Sequence, residues 1–376
     1  MQSPLTQSQY GLYVECMSHL GEAYYNLPYL YVLDPSLDGE RLRRAVETAV
    51  WAHPTLFTRI EQDADGEPIQ TLDIDHEQWS LTIEEIDDIE AVKPQLVVPY
   101  DIIGGRLFNI RLLKDEAHYY LFLDYHHIIV DGTTMQIMLS DIDRAYRGEP
   151  LAPEQMTLMQ VAEIEAAQRQ SPAWQEGKQW YAQTFDCGDT FTQIMPDLEV
   201  QEHAEDNALR ILDVDMAQVD QFCHDKGVFK SSLFTAAYSF LLAKFNNEQE
   251  SLCTTVYNGR SDKRFAHSVG MVVKTLPVFA KFTPDTTVLE FIQQGQQQMS
   301  GCRQHEIYSF ADAMHDLDLQ TNSMFAWHGL LFDNETMGGM PMHTIRLGNS
   351  TIGASLYLKT FVMNGRCHVK AEYNSN

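Results

Sequence analysis

The sequence predicts an α/β fold of the two-layer α+β type, arranged as two lobes. A single hydrophobic core usually stops growing at about 250 to 300 residues, and this chain has 376. Strand-like and helix-like segments alternate in each half of the chain, which is typical of helices packed on a sheet. A polar, acidic stretch at 186–208 is interpreted as a linker between an N-terminal lobe, 1–185, and a C-terminal lobe, 209–376.

The first elements of the N-terminal half are a strand and a helix. Residues 28–34 form an apolar, aromatic run that ends at a Pro-Ser break, and this pattern predicts a strand. From Asp38 the apolar residues recur every three or four positions, which predicts a helix with one buried face. We expect this helix to stop near His53-Pro54.

A second strand, turn and helix are predicted further along the same half. Residues 118–130 are rich in β-branched and aromatic types and predict an interior strand that closes at Asp131-Gly132. Thr133 or Thr134 can then cap a helix whose apolar residues form one face. Gly148 and the nearby proline supply its stop.

The second half repeats this alternation. Helices are predicted at 216–226 and at 231–245, where serines can cap the second helix. Strands are predicted at 252–257 and 269–280.

Composition excludes several classes of protein. The formal net charge is −27, so the field of the chain repels nucleic acid and anionic membrane surfaces, and neither is expected as a partner. No apolar stretch approaches transmembrane length, and the N-terminus lacks the charged start of a secretory signal. Six cysteines without a C-x-x-C pair favour a reducing, cytoplasmic location and predict neither a disulfide framework nor a metal site.

The pair His126-His127 is the candidate for chemistry. In an extended strand successive side chains point to opposite faces, so one histidine can act while the other packs. Asp131 can anchor the following turn, and Gly132 lets a backbone or a ligand approach closely. This arrangement would hold one imidazole at the mouth of a cleft.

These residues resemble the H-H-x-x-x-D-G signature of condensation domains of non-ribosomal peptide synthetases, within the chloramphenicol acetyltransferase-like superfamily. Further segments resemble the motifs of that family in the family's order, so the resemblance covers nearly the whole chain. The matching segments are 5–13, 53–60, 126–132, 259–260, 269–277 and, more weakly, 304–310.

The resemblance implies two chloramphenicol acetyltransferase-like lobes in a V-shaped pseudo-dimer. It implies amide (peptide) bond formation between a donor acyl or peptidyl thioester and the amine of an acceptor aminoacyl thioester. Upstream and downstream carrier proteins would deliver both substrates on phosphopantetheine, and neighbouring synthetase domains would be partners. The chain itself would bind no cofactor or metal, and it is expected to be monomeric when excised.

The family's residue roles transfer by resemblance to positions of this chain. His127 would accept a proton from the amine or position it, while His126 and Asp131 would orient the loop. Gly132 would offer its backbone N–H near the reacting groups. Donor and acceptor identity, stereochemistry and a starter or elongation role are not encoded in these motifs.

The chain also departs from the family pattern. Phe57 stands where many relatives have an arginine, so Arg59 is a possible structural partner of Asp131. Lys274 replaces the usual asparagine. Relatives continue beyond the position of Asn374, so the chain is expected to be a fragment with an incomplete C-terminal lobe.

The sequence leaves two other functions open. The histidine motif is shared with free-standing coenzyme A-dependent acyltransferases, and a non-catalytic domain that recruits partner proteins would keep the same fold. An epimerisation domain is disfavoured because the E-G-H-G-R of that family stands here as 256–260, V-Y-N-G-R. Heterocyclisation relatives carry aspartates in place of the histidines, which disfavours that activity as well.

Overall fold

The computed structural model describes residues 1–23, 25–187, 192, 194, 204–330, 336–347 and 356–375. The chain divides into two compact units, each assembled from separate segments of the sequence. Unit 1 comprises Met1–Ala167, Asn258–Val273 and Asn334–Thr351. Unit 2 comprises Gln168–Tyr257, Lys274–Asp333 and Ile352–Asn376.

These units interleave along the sequence, whereas the predicted lobes 1–185 and 209–376 are contiguous. Most of the predicted linker lies outside the described residues, and its last residues begin a strand at Ala204. The predicted division therefore stays a prediction.

Helices and strands alternate throughout the described residues. The α-helices are α1 (Gln7–Cys16), α2 (Gly39–Ala52), α3 (Ile89–Val92), α4 (Gly132–Arg147), α5 (Leu158–Gln168), α6 (Pro172–Thr184), α7 (Met216–Lys226), α8 (Lys230–Phe245), α9 (Val288–Gln304) and α10 (Phe310–Leu317). The strands are β1 (Gln2–Pro4), β2 (Tyr29–Leu33), β3 (Arg59–Gln62), β4 (Pro68–Thr71), β5 (Ile83–Glu85), β6 (Phe108–Lys114), β7 (Tyr119–Tyr125), β8 (Ala204–Ile211), β9 (Glu250–Tyr257), β10 (Lys274–Lys281), β11 (Ser323–Leu330), β12 (Thr336–Met337), β13 (Met340–Pro341), β14 (His343–Arg346), β15 (Leu356–Met363) and β16 (Arg366–Ser375).

Unit 1 is built on a five-stranded sheet with the order β14-β2-β7-β6-β5. The pairs are antiparallel except β5 with β6, which is parallel. Helices α2 and α4 bury apolar faces in the core of this unit, with Leu42 and Val46 on α2 and Met138 and Ile142 on α4 fully covered. The two residues of each pair are four positions apart, so they lie on the same face of their helix and form one buried stripe.

Unit 2 is built on a six-stranded sheet with the order β10-β9-β11-β15-β16-β8. Strands β9, β11 and β15 are mutually parallel, and the outer pairs are antiparallel. Helix α8 packs on this sheet, where Tyr238 stacks on Phe325 of β11 at 5.3 Å between ring centroids. Leu242, Cys253 and Val278 complete this core cluster.

Most of the predicted elements are confirmed, including the strand at 28–34 and the helices that became α2, α4, α7 and α8. Helix α4 ends as expected at Gly148, which has the left-handed φ of 80°. The predicted capping residues are wrong in both helices. Asp131 caps α4, and Phe229 precedes α8 without a side-chain cap.

Two predicted strands extend too far. The strand predicted at 118–130 ends at Tyr125, and the strand predicted at 269–280 begins only at Lys274. In both places side chains accept hydrogen bonds from backbone N–H groups that would otherwise pair with a neighbouring strand. Among the described residues, no helix is both long and apolar enough to cross a bilayer.

Candidate active site

After strand β7 the chain makes a tight turn at 126–131 that carries both histidines, which we call the histidine turn. His126 is buried, and its Nδ1 accepts a hydrogen bond from the backbone N–H of Ile128 at 3.1 Å. This local bond turns the chain and is the reason that the predicted strand does not continue. Because Nδ1 accepts, neutral His126 carries its proton on Nε2, which lies 3.7 Å from the sulfur of Cys16.

His127 has the opposite tautomer. Its Nδ1 lies 2.8 Å from the carbonyl oxygen of Val130, and a carbonyl only accepts, so Nδ1 carries the proton. Nε2 of the neutral imidazole then has the lone pair that can accept a proton or a hydrogen bond. His127 is half-buried, whereas His126 is almost completely covered. Burial and tautomer therefore distinguish the two histidines.

Helix α1 supports the histidine turn through Gln9, a residue of the opening motif. The Oε1 of Gln9 accepts from the backbone N–H of Thr6 at 2.9 Å, which completes the N-terminal capping box of the helix. Its Nε2 donates to the carbonyl oxygen of Ile128 at 3.1 Å. Burial raises the pKa of the Cys16 thiol to about 12, so this neighbour of His126 stays uncharged.

Asn26 and Asp124 hold the chain where it enters the turn. Asn26 forms an isolated antiparallel bridge with His126, and its Nδ2 donates to Oδ2 of Asp124 at 2.9 Å. Asp124 is fully buried on β7, and burial raises the pKa of its carboxyl to about 7. The entry side of the turn is thus fixed by a buried polar pair.

Asp131 holds the exit side of the turn. Its Oδ1 accepts from the backbone N–H of Thr134 at 2.9 Å, which makes it the N-cap of α4. The guanidinium of Arg260 binds both carboxylate oxygens, with Nη1–Oδ2 at 2.7 Å and Nη2–Oδ1 at 3.0 Å. The two side chains are 3% and 2% exposed, so this is a buried, bidentate ion pair.

Arg260 lies on a segment, 258–273, that we call the latch. Backbone N–H groups of the latch, which is itself part of unit 1, bind two side chains from earlier in the sequence. Val269 donates to Glu154 at 2.8 Å, and Gly270 donates to Oγ1 of Thr134 at 3.2 Å. These bonds explain why the first part of the predicted strand 269–280 is not in a sheet. Gly259 has a φ of 66°, and a Cβ there would lie 1.7 Å from the carbonyl oxygen of Val272.

The predicted pairing of Arg59 with Asp131 is wrong. Arg59 instead binds the carboxylate of Glu77 and donates to the carbonyl oxygen of Gly104 at 3.2 Å. Proximity in sequence suggested Arg59, but the partner of Asp131 comes from a residue 129 positions away. The G-R match at 259–260 was the available signal, although it did not indicate which group the arginine binds.

The buried His53 connects helix α2 to Asp141 of α4. It also reaches the latch indirectly, through Glu154, which binds Val269. His53 lies at the end of α2 and is 1% exposed. Its Nδ1 is 2.9 Å from Oε1 of Glu154, and its Nε2 is 3.0 Å from Oδ2 of Asp141. Burial alone would lower the pKa of His53, but the two carboxylates outweigh it and raise the pKa to about 9. His53 is therefore a cation between two carboxylates at neutral pH.

This cluster predicts that the protein loses stability at alkaline pH. A histidine whose pKa is higher in the folded than in the unfolded state stabilises the folded protein. This contribution is complete below the unfolded pKa of about 6.5 and is lost as pH rises toward the folded pKa of about 9. At about 1.4 kcal/mol per pH unit, the loss amounts to about 3 kcal/mol. We expect the free energy of unfolding of the wild type to fall more between pH 6.5 and 9 than that of His53→Gln. Urea denaturation at several pH values measures both slopes, and equal slopes would contradict this prediction.

Gly132 begins helix α4 beside the histidine turn. It is exposed, and a Cβ placed on it would meet no atom of the described chain within 4 Å. The space beside its Cα, where a side chain would lie, is therefore open. Within the described residues, no cluster of three or more His, Cys, Asp or Glu side chains could hold a metal ion.

The site thus brings together four of the five residues predicted from sequence: His126, His127, Asp131 and Gly132. It excludes Arg59 and adds Arg260, Gln9, His53 and Glu154. The weaker match at 304–310 and the departure at Lys274 belong to unit 2, where Lys274 donates to the carbonyl oxygen of Glu306 at 3.3 Å.

The mixed α/β fold agrees with the class of acyltransferase expected from the sequence. The family model described as Condensation domain matches residues 1–375, and the chain belongs to this family. The prediction of a condensation domain is therefore confirmed. Condensation domains are the amide-forming acyltransferases of peptide synthetases.

Curated relatives with similar sequences are large synthetases. Bacitracin synthase 3 of Bacillus licheniformis is 26% identical over 324 residues, which cover 84% of this chain and 5% of that protein. Tyrocidine synthase 3 of Brevibacillus parabrevis is 26% identical over 333 residues, which cover 86% of this chain and 5% of that protein. The chain thus spans about one twentieth of the length of these relatives.

Solved structures share the fold at low sequence identity. The first condensation domain of the calcium-dependent antibiotic synthetase matches with a TM-score of 0.80 and 16% identity, covering 100% of this chain and 91% of that chain. The starter condensation domain of rhizomide synthetase matches with a TM-score of 0.80 and 18% identity, covering 100% and 90%. The X-domain from teicoplanin biosynthesis matches with a TM-score of 0.81 and 16% identity, covering 99% and 89%.

Proposed function

We propose that this domain joins a donor acyl or peptidyl thioester to the amine of an acceptor aminoacyl thioester, with both substrates tethered to carrier proteins. The observation that carries this proposal is the tautomer of His127. Its Nδ1–H is committed to the carbonyl oxygen of Val130, so Nε2 is the basic nitrogen of a half-buried imidazole. An acceptor amine can donate its hydrogen bond to that nitrogen.

The reaction needs alignment more than covalent catalysis, because a thioester is already activated. The amine nitrogen attacks the thioester carbonyl, a C–N bond forms, and the C–S bond of the donor breaks. The proton lost by the nitrogen passes to Nε2 of His127 and then to the departing thiolate, so that atoms and charge balance. Holding the amine neutral and aimed at the carbonyl supplies most of the acceleration.

The other site residues act on the geometry of this histidine. His126 and Asp131 fix the two sides of the turn, and Arg260 neutralises Asp131 in a buried position. Gly132 leaves open space beside its Cα, where a side chain would otherwise stand. The phosphopantetheine arms belong to the carrier proteins, which deliver them as part of the substrates.

A single-turnover experiment tests this function. The wild-type domain is mixed with an aminoacyl-loaded donor carrier and an aminoacyl-loaded acceptor carrier, and intact-protein mass spectrometry follows the acceptor. We expect dipeptidyl acceptor carrier, and no product when the acceptor carries unloaded phosphopantetheine. Turnover with coenzyme A thioesters and a soluble amine alone would favour a free-standing acyltransferase. Carrier binding without product would favour a recruitment domain, and either result would overturn the proposal.

The open space at Gly132 gives a further prediction. Gly132→Ala adds a methyl group at the first position of α4, where the helix-propensity gain is smaller than that of about 1 kcal/mol in a helix interior. We expect unchanged or higher stability and a condensation rate lower by about tenfold to a hundredfold, because the methyl group displaces the reacting groups. Gly295→Ala, in the middle of α9 and also facing open space, is the matched control. A Gly132→Ala variant with the wild-type rate would show that substrate does not pass this residue.

A further inference from the structure

We infer that Tyr25 and Glu15 are positioning residues for His127, an inference that rests on the proposed function of that histidine. Tyr25 contacts His127 in two ways. Its carbonyl oxygen accepts from the backbone N–H of His127 at 2.9 Å, and its ring meets the imidazole edge to face, with centroids 6.0 Å apart at 83°. One residue therefore touches both the backbone and the ring of the proposed base.

The backbone of Tyr25 has an unusual conformation that allows both contacts. Its φ is 62°, in the left-handed region that large aromatic residues rarely adopt. Such a conformation persists only where surrounding contacts hold it, and it is concentrated at functional sites. Tyr25 is 8% exposed, and the next residue, Asn26, is tied to Asp124 and to the carbonyl oxygen of Val98 at 2.9 Å each.

The phenol of Tyr25 is anchored in turn by helix α1. Its hydroxyl donates to Oε2 of Glu15 at 2.7 Å, a charge-assisted hydrogen bond in a partly buried position. Glu15 lies near the end of α1, the same helix whose Gln9 holds the carbonyl oxygen of Ile128. Helix α1 thus contacts this region at two points. Gln9 binds the backbone carbonyl of Ile128, and Glu15 binds the hydroxyl of Tyr25, whose ring meets His127.

This chain of contacts restricts the imidazole plane. The hydrogen bond from Nδ1–H to the carbonyl oxygen of Val130 fixes one edge of the imidazole, but the ring can still tilt about this hydrogen bond. The edge-to-face contact with Tyr25 limits this rotation, because a tilted imidazole would collide with the aromatic ring. Loss of the Glu15 hydrogen bond would weaken the restraint on the phenol, and Nε2 would be less well aimed at the amine.

Substitutions that keep the ring but remove the anchor test this inference. We expect Tyr25→Phe and Glu15→Ala each to lower kcat about tenfold with KM changed less than twofold, because one charge-assisted hydrogen bond is lost. Glu15→Gln keeps an accepting oxygen and should restore most of the rate. The matched control is Tyr120→Phe, which removes an equal 2.7 Å hydrogen bond to Asp115 elsewhere in unit 1.

A second readout does not depend on catalysis. In protein labelled with ¹⁵N-histidine, the ring nitrogens of His127, assigned from the His127→Gln spectrum, report its tautomer. We expect the Nδ1–H tautomer in the wild type and in both variants, but a shifted and broadened Nε2 signal in Tyr25→Phe and Glu15→Ala, because the ring can then tilt about its hydrogen bond to Val130. Wild-type kcat together with an unchanged His127 signal in both variants would overturn the inference. If the wild type forms no amide but the variants still shift the His127 signal, the proposed function fails while the positioning role stands.

Discussion

His127→Ala is expected to slow amide formation by about 10² to 10⁴, the range that general acid–base groups contribute. The structure supports this expectation through one feature, the commitment of Nδ1–H to Val130, which leaves Nε2 as the basic nitrogen of the ring. Alanine removes that nitrogen, and the side-chain contacts of His126 with Ile128 and Cys16 do not involve the replaced imidazole. The measurement is the single-turnover rate of dipeptidyl transfer between loaded carriers.

The matched control for this variant is His118→Ala. His118 is also half-buried and lies in unit 1 just before β7, but it does not belong to the histidine turn. It should retain the wild-type rate. If His127→Ala also kept a rate within about threefold of the wild type, alignment by the carriers alone would account for catalysis, and the proton-transfer role of His127 would be wrong.

Arg260→Ala is expected to destabilise the folded protein by about 3 to 5 kcal/mol, because it leaves the buried carboxylate of Asp131 without its cation. Asp131 also caps α4, so the loosened carboxylate should disturb the histidine turn and lower the condensation rate in parallel. Urea denaturation gives the change in the free energy of unfolding, and the carrier assay gives the rate.

The latch itself supplies the control for this variant. Arg264 pairs with Asp262 at 2.6 Å, but the two side chains are 60% and 44% exposed, so Arg264→Ala should cost less than about 1 kcal/mol. The double variant Asp131→Asn with Arg260→Gln should lose less than the sum of the single losses, because no isolated charge stays buried. Equal effects of Arg260→Ala and Arg264→Ala would show that the buried pair does not hold the site.

The spacing of hydrophobic residues was sufficient to predict those helices and strands that bury one regularly spaced face. Helices α2 and α4 and strand β2 follow directly from such patterns. The end of β7 was missed because the His126 side chain binds the Ile128 backbone, an interaction that hydrophobic spacing does not record. The start of β10 was missed because the latch binds Thr134 and Glu154, which are distant in sequence.

The same limit applies to the site. Motif order identified His127, Asp131 and Gly132, since these residues are close together in the chain. Sequence proximity favours Arg59 as the partner of Asp131, because a sequence carries no measure of distance across the fold. In the structure Asp131 binds Arg260, and Arg59 binds Glu77. His53 gave no sequence signal as a buried cation, because its two carboxylates lie 88 and 101 positions away.

The latch has a consequence for genetic recombination. Asp131 and Arg260 are encoded far apart, yet they form one buried pair within unit 1. A crossover between two related domains anywhere inside this interval would join the aspartate of one parent to the arginine-bearing latch of the other. Such a hybrid inherits a working pair only when both parents use the same arginine position, so exchange points outside 131–260 should yield active chimeras more often than points within it.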